Sequence, residues 1–317
     1  VLRQNTDLGL SAAVTVAGSS QDRFNGSGSV GFQRGRLNLA GMYAVSSDQR
    51  RPTGFMERLS LAGVSAGETI VQDTRGLQES LGHSLTGSLD FKLRPVTTLS
   101  FQASGNLNGN DGLSVNGFRL FGAPDASGRT WASATGTERD LRSGDLMLGL
   151  RHVPAAGRNE IALEARLSGN DDVSEARYGD ATLATLRELT RNETGNRDAS
   201  LQLDVTRTLL GMKVETGARA EERVIDTDLS RSPFGDAASV LGNAASVSGG
   251  NAFDYDARIW AGYAQASRAV GRLSLQGGLR LEHADTRFDL RSTGEVYDNR
   301  YTSLYPSASA LLDLGGG

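Results

Sequence analysis

Apolar and polar residues alternate with period two in about a dozen runs along this chain. Leu99, Phe101, Ala103 and Leu107 alternate with Ser100, Gln102, Ser104 and Asn106. Leu201, Leu203 and Val205 alternate with Gln202, Asp204 and Thr206, and Leu273, Leu275, Leu279 and Leu281 with Ser274, Gln276, Arg280 and Glu282. Similar runs cover 85–93, 146–152, 161–167, 212–220, 257–263 and 302–314, and weaker ones cover 8–16, 24–32 and 37–45. A helix needs apolar residues three and four apart, and these runs do not supply them. Only Leu183, Leu186 and Leu189 do, which predicts a short turn of helix inside a loop. The chain is expected to be all-β.

The connections between runs are of two kinds that take turns. Tight ones are expected at Arg34-Gly35, Arg94-Pro95-Val96, Pro154-Ala155-Ala156-Gly157, Leu210-Gly211, Gly271-Arg272 and Gly315-Gly316-Gly317. Long polar ones are expected at about 46–78, 109–138, 170–196, 225–254 and 289–300, with a briefer one near 18–23. One end of the sheet is then all short turns and the other all long loops, the asymmetry of an outer-membrane barrel. The predicted fold is an antiparallel transmembrane β-barrel segment of about twelve strands.

The two faces support this. Opposite the leucines, parity places Asp90, Lys92, Asp145, Arg151, Glu164, Arg166, Asp204, Lys213, Glu215, Arg219, Glu221, Arg258, Arg280 and Glu282. A soluble sandwich would carry such a face as its exterior. Its other face would then have to pack a core from leucine, alanine and glycine with few large aromatics, which interdigitate poorly. Lipid demands no interdigitation, and a wet lumen accommodates mixed charge. Arg166, Asp204, Lys213, Glu215, Arg219, Arg258, Arg280 and Glu282 are therefore expected to face the lumen, as cross-strand charge pairs, as a hydrated channel wall or as a grip on a plug.

Composition narrows the chemistry. Of 317 residues, 40 are glycine and 6 proline, and cysteine is absent, which excludes disulfides, thiol nucleophiles and cysteine metal sites. Basic and acidic residues, 33 and 37, are interspersed, so no nucleic-acid footprint is present. A mean hydropathy of −0.33 excludes a helical membrane protein but not a barrel, whose strands show lipid only alternate side chains. The first residues, Val1-Leu2-Arg3-Gln4-Asn5, lack a signal-peptide pattern, and the chain is expected to be cut from something longer.

Isolated motifs carry little. Gly26-Ser27-Gly28-Ser29-Val30-Gly31 matches a dinucleotide fingerprint by letter, but it lies in a β run with no helix after it. Asn108-Gly109-Asn110-Asp111-Gly112 and Asn170-Asp171-Asp172 are rich in oxygen ligands but lack calcium-loop spacing and a closing glutamate. Glu282-His283-Ala284-Asp285 places its carboxylate and imidazole on opposite faces. His83, His152 and His283 share the apolar parity near strand ends, where a membrane interface is expected. No catalytic residue, cofactor or metal site is assigned, and no enzymatic activity is expected.

His83-Ser84-Leu85-Thr86-Gly87-Ser88-Leu89-Asp90-Phe91 resembles an early barrel strand of TonB-dependent outer-membrane receptors. Ala264-Gln265-Ala266 with Gly277-Gly278-Leu279-Arg280-Leu281-Glu282-His283 resembles their mid-barrel hairpin, and Leu304-Tyr305-Pro306-Ser307-Ala308-Ser309 the strand that follows it. The resemblance covers about 80–317, and more loosely the chain from Leu8. It implies that 1–317 is a partial barrel domain without its plug domain or remaining strands, in the outer membrane of a didermic bacterium. It further implies import of a scarce large solute, a small molecule or metal chelate such as a ferric siderophore, a vitamin or an oligosaccharide. The implied partners are outer-membrane lipid and a TonB complex acting through the plug. Ligand contacts are then expected from aromatics in or beside the long loops: Trp131, Phe234, Phe253 and Tyr255, with Phe118 and Phe121 beside them. The competing expectation is a passive porin or structural barrel without energy coupling.

Overall fold

The computed structural model describes residues 9–20, 22–60, 67–122, 128–154, 159–234 and 250–312. They form thirteen strands: β1 Gly9–Ser19, β2 Arg23–Arg34, β3 Leu37–Arg50, β4 Thr53–Leu59, β5 Thr69–Arg94, β6 Thr97–Phe121, β7 Arg129–His152, β8 Asn159–Asp180, β9 Leu186–Leu209, β10 Met212–Pro233, β11 Asn251–Val270, β12 Leu273–Leu290 and β13 Glu295–Leu312. Twelve of them follow one another in a single antiparallel sheet in chain order; β4 lies off this path and pairs only with the start of β5. The all-β, twelve-strand expectation holds. Among the described residues no ladder joins β1 to β13.

Chirality explains the tight turns. Gly35, Gly271 and the pair Leu210–Gly211 all have positive φ, and two such residues in succession match the right-handed twist of a hairpin. The turn expected at 154–157 and the closing glycines fall largely outside the described residues. Leu183 is not helical. It sits at φ 58° in the turn between β8 and β9, and β9 starts at Leu186.

The long connections are shorter than the sequence suggests. Strands β5 to β10 run 22 to 26 residues, and most of 109–138 and 170–196 is ladder. At roughly 3.3 Å per residue such strands exceed a hydrocarbon layer of about 30 Å more than twofold.

Following Cα partners straight across the sheet yields rows that are either apolar or polar. One row reads Leu10, Phe32, Leu39, Leu89, Phe101, Leu148, Ala165, Leu201, Ala220, Trp260, His283 and Thr302. The adjacent row, on the opposite face, includes Gln33, Asn38, Asp90, Ser100, Glu164, Gln202, Arg219, Glu282 and Ser303. No described residue covers the apolar face: Leu85 is 59% and Leu281 52% exposed, and the buried apolar residues among those described are the alanines 134, 257, 261 and 284. A sandwich core is thereby excluded, and the leucines need an apolar solvent outside the protein.

The apolar band is oblique to the rows. Leu81 on β5 shares its row with Asp140 on β7, Glu193 on β9 and Asp228 on β10. Strands that cross an apolar slab at a tilt, as barrel strands do, produce this stagger.

One face assignment is corrected. Register pairs Arg258 with Glu222, in the row of Leu146 and Leu167, so Arg258 lies on the apolar face just beyond the band. Parity fails on β11 because both its faces carry apolar residues: Trp260, Gly262 and Ala264 on one, Ala257, Ile259, Ala261 and Tyr263 on the other.

Candidate functional site

The polar face divides by charge. On β6 every polar-face residue from Thr98 to Asn116 is an uncharged hydroxyl, amide or glycine, and on β5 the same holds from Gln72 to Ser88. From β7 onwards the face is crowded with ion pairs. Arg166 meets Asp145 at 2.6 Å, Lys213 meets Glu215 at 2.5 Å, Arg219 meets Glu221 at 2.8 Å and Arg280 meets Glu282 at 2.9 Å. Asp204 accepts hydrogen bonds from Gln202 at 2.8 Å and Tyr263 at 2.6 Å. Seven of the eight charged residues expected on this face are placed there, and Arg258 is not. They are each tied to a neighbour rather than gathered into one site, and pairs this exposed each contribute no more than about 1 kcal/mol.

Side chains converge nearer the long-loop end of the same face. A cleft of about 620 Å³ is lined by Asp48, Arg50, Gln78, Ser80, Asn110, Thr137, Arg139, Ser174 and Thr190. Its charges cancel locally. Arg139 grips Asp172 through two hydrogen bonds, and Asp48 lies between Arg50 at 2.5 Å and Arg23 at 2.7 Å. Glu79, Asp111, Glu138 and Glu175 also border the cleft, but register places them on the opposite face, so the side chains presented from the polar face beside these pairs are hydroxyls and carboxamides. Alternation does not reveal this cleft, because β3, β5, β6, β7, β8 and β9 each contribute one or two polar residues from regions where the opposite face is also polar.

Further along, Gln72 donates to Asn116 at 3.0 Å and Thr74 donates to the same oxygen at 2.8 Å. Phe118 and Trp131 then stack, their rings 5.1 Å apart and 8° from parallel. The β7–β8 ladder stops at Ser133 opposite Asp180, so among the described residues no strand pairs with β7 on that side of Trp131. Phe253 packs on Phe288, which meets Tyr297 on β13. Trp131, Phe253 and Tyr255, expected in loops, therefore stand on strands, on the polar face; Phe234 follows β10 and its amide bonds to Arg187 at 2.8 Å.

Asp180 closes the turn after β8, well beyond Leu167, the last leucine of that strand in the apolar band. Hydrogen bonds from the Thr182 hydroxyl and amide, with others from Ala184 and Thr185, hold its carboxyl below the usual carboxylate range. Asn108–Gly112 and Asn170–Asp172 are strand rather than calcium-type loops, and no set of side chains arranged for a metal occurs among the described residues.

The histidines lie towards the two ends of the apolar band. His83 stacks and hydrogen-bonds with Tyr43, and His283 stacks on Trp260 and bonds Thr302, both at the long-loop margin. His152 bonds Thr97 beside the short turns. Aromatic rings with polar tips gather where hydrocarbon gives way to headgroups.

Residues 158–315 match the model of the outer membrane protein beta-barrel family. The chain is a bacterial outer-membrane β-barrel chain. No curated protein matches this outer-membrane chain. Among solved structures, the outer membrane protease OmpT from Escherichia coli aligns over 95% of this chain and 98% of its own, at 8% identity and a TM-score of 0.26. The ferric yersiniabactin uptake receptor FyuA from Yersinia pestis aligns over 95% of this chain and 61% of its own, at 9% identity and a TM-score of 0.32. The ferric citrate transporter FecA aligns over 94% and 59%, at 10% identity and a TM-score of 0.25. The outer-membrane chain thus spans about three fifths of the length of these two uptake proteins. The protease among these structures overturns the expectation that such a chain excludes enzymatic chemistry.

Proposed function

We propose that the chain forms the lumenal wall of an active outer-membrane receptor that imports a solute too large for passive diffusion. In this reading a plug domain outside residues 1–317 blocks the lumen and couples it to a TonB complex. The observation that carries it is the assembly of the receptor-like segments. Gly277–His283 on β12 pairs on one side with the Ala264-Gln265-Ala266 strand and on the other with Leu304-Tyr305-Pro306, giving a contiguous three-strand patch inside the region matched by the barrel family. A hydrated, hydrogen-bonding lumen that ends in aromatic residues at its mouth is also what a receptor for a scarce solute requires. Ferric siderophores are one class of such cargo.

The test is uptake by cells carrying the full-length protein. Accumulation against a gradient, abolished by a protonophore or by loss of TonB, is the expected result. Large, energy-independent conductance of the purified protein in a planar bilayer would instead establish a passive porin.

A further inference from the structure

The charge division of the lumen has a chemical meaning. Down β5 and β6, from Gln72 and Asn116 at the mouth to Ser88 and Ser100 near the short turns, the lumenal face offers only amides, hydroxyls and glycine gaps. These two strands are neighbours along their whole length, so the neutral residues form one unbroken strip. The cleft of about 620 Å³ opens onto the strip at Gln78, Ser80 and Asn110, and Trp131 stands above it with one indole face held by Phe118.

We infer that this strip is the solute path, and that the solute is a neutral, hydroxyl-rich ring compound of the oligosaccharide class. The inference rests on the receptor reading above and names its cargo. An uncharged amide or hydroxyl exchanges its bound water for a sugar hydroxyl at almost no net cost, donating and accepting as the sugar does. A charged wall holds its water more tightly and favours a charged solute, and along the strip from Gln72 to Ser88 and from Ser100 to Asn116 this face carries no charge, Asp90 and Lys92 coming only beyond it beside the short turns. A pyranose presents a flat face of C–H bonds, which an indole ring covers, so Trp131 suits the first contact. An anionic iron chelate finds no free cation on this strip: the arginines bordering the cleft are already bound to Asp48 and Asp172.

The test uses the full-length protein in detergent, applied to an array of neutral glucans, mannans, galactans and xylans, with acidic oligosaccharides and ferric hydroxamate and catecholate chelates in parallel. At least one neutral series should bind. Trp131→Ala should weaken that binding about three- to tenfold, the range of one aromatic stacking contact. Asn110→Asp should also weaken it, and Arg219→Gln on the charged half should not. Heat-modifiable gel mobility of each variant reports whether the barrel is intact. Binding of chelates alone, binding of no neutral series, or neutral binding indifferent to both Trp131→Ala and Asn110→Asp would overturn the inference. Energised uptake of a chelate would leave the receptor reading standing without this cargo; unenergised passage of a neutral oligosaccharide would do the reverse.

Discussion

The Tyr263 hydroxyl on β11 reaches across β10 to donate a hydrogen bond of 2.6 Å to Asp204 on β9, and it can do so because the intervening residue is Gly217. A Cβ at Gly217 would stand 2.5 Å from Tyr263 Cε1, 2.6 Å from Asp204 Oδ1 and 2.7 Å from the Leu203 carbonyl oxygen. Gly217→Ala should therefore destabilise the folded barrel by about 1–3 kcal/mol, the usual range for overpacking. Urea titration in detergent measures this. The cost should shrink in a Tyr263→Ala background, where only the carboxylate and the backbone carbonyl still crowd the methyl. Equal costs in both backgrounds would remove the ring from the explanation.

Arginine scanning on β11 separates register from sequence parity. Ala264 faces lipid and Gln265 the lumen, where Glu215 already accepts a hydrogen bond from Gln265. Ala264→Arg should cost about 2–4 kcal/mol if it lies near the midplane, and Gln265→Arg well under 1. Similar costs at both sites would invalidate the faces assigned to this strand.

The two tryptophans offer an optical check. Trp260 lies on the lipid face beside His283, and Trp131 on the polar face beside Phe118. In single-tryptophan variants, brominated lipid should quench the Trp131→Phe protein, which retains Trp260, and leave the Trp260→Phe protein bright. Quenching of Trp131 would turn β7 inside out.

Much of this was legible from the chain alone, and what was not has a common physical cause. Alternation reports a contrast between two environments, so it is sharp where one face meets lipid, as at Leu201, Leu203 and Val205. Beyond the apolar band both faces meet water. Glu138, Glu175 and Arg191 occupy the outward row there, while Thr137, Ala176 and Thr190 line the inner one, and the sequence resembles a loop although the ladder persists. The opposite failure occurs on β11, where apolar residues on both faces reversed the parity and misplaced Arg258. The cleft was invisible for the same reason as the extended strands, being built from polar residues opposite other polar residues.

Hydrogen exchange follows from that correction. Amides of 109–120 lie between β5 and β7 with partners on both sides, although they stand outside the lipid band. They should exchange slowly, like the membrane-embedded part of β6. Rapid exchange across 109–120 would restore the loop assignment.

Acid should loosen the turn after β8. Because its hydrogen bonds lower the Asp180 pKa in the folded state, the stabilisation is complete above the ordinary carboxylate pKa and is lost as pH falls through the lowered value. The amides of Thr182, Ala184 and Thr185, which donate to this carboxylate, should be protected at neutral pH and open on strong acidification. Asp180→Ala should abolish that pH dependence; an unchanged profile would assign the protection to something other than the carboxylate.

The continuous ladders of β5, β6 and β7 also limit how this wall can move. A sheet cross-linked by backbone bonds from its short turns to far above the bilayer behaves as a stiff sleeve, since bending it open would break many bonds at once. The one register shift in these ladders, between Lys92 and Arg94, lies beside the short turns. Under the receptor reading proposed above, gating then falls to the plug inside the sleeve, and the wall contributes by staying still.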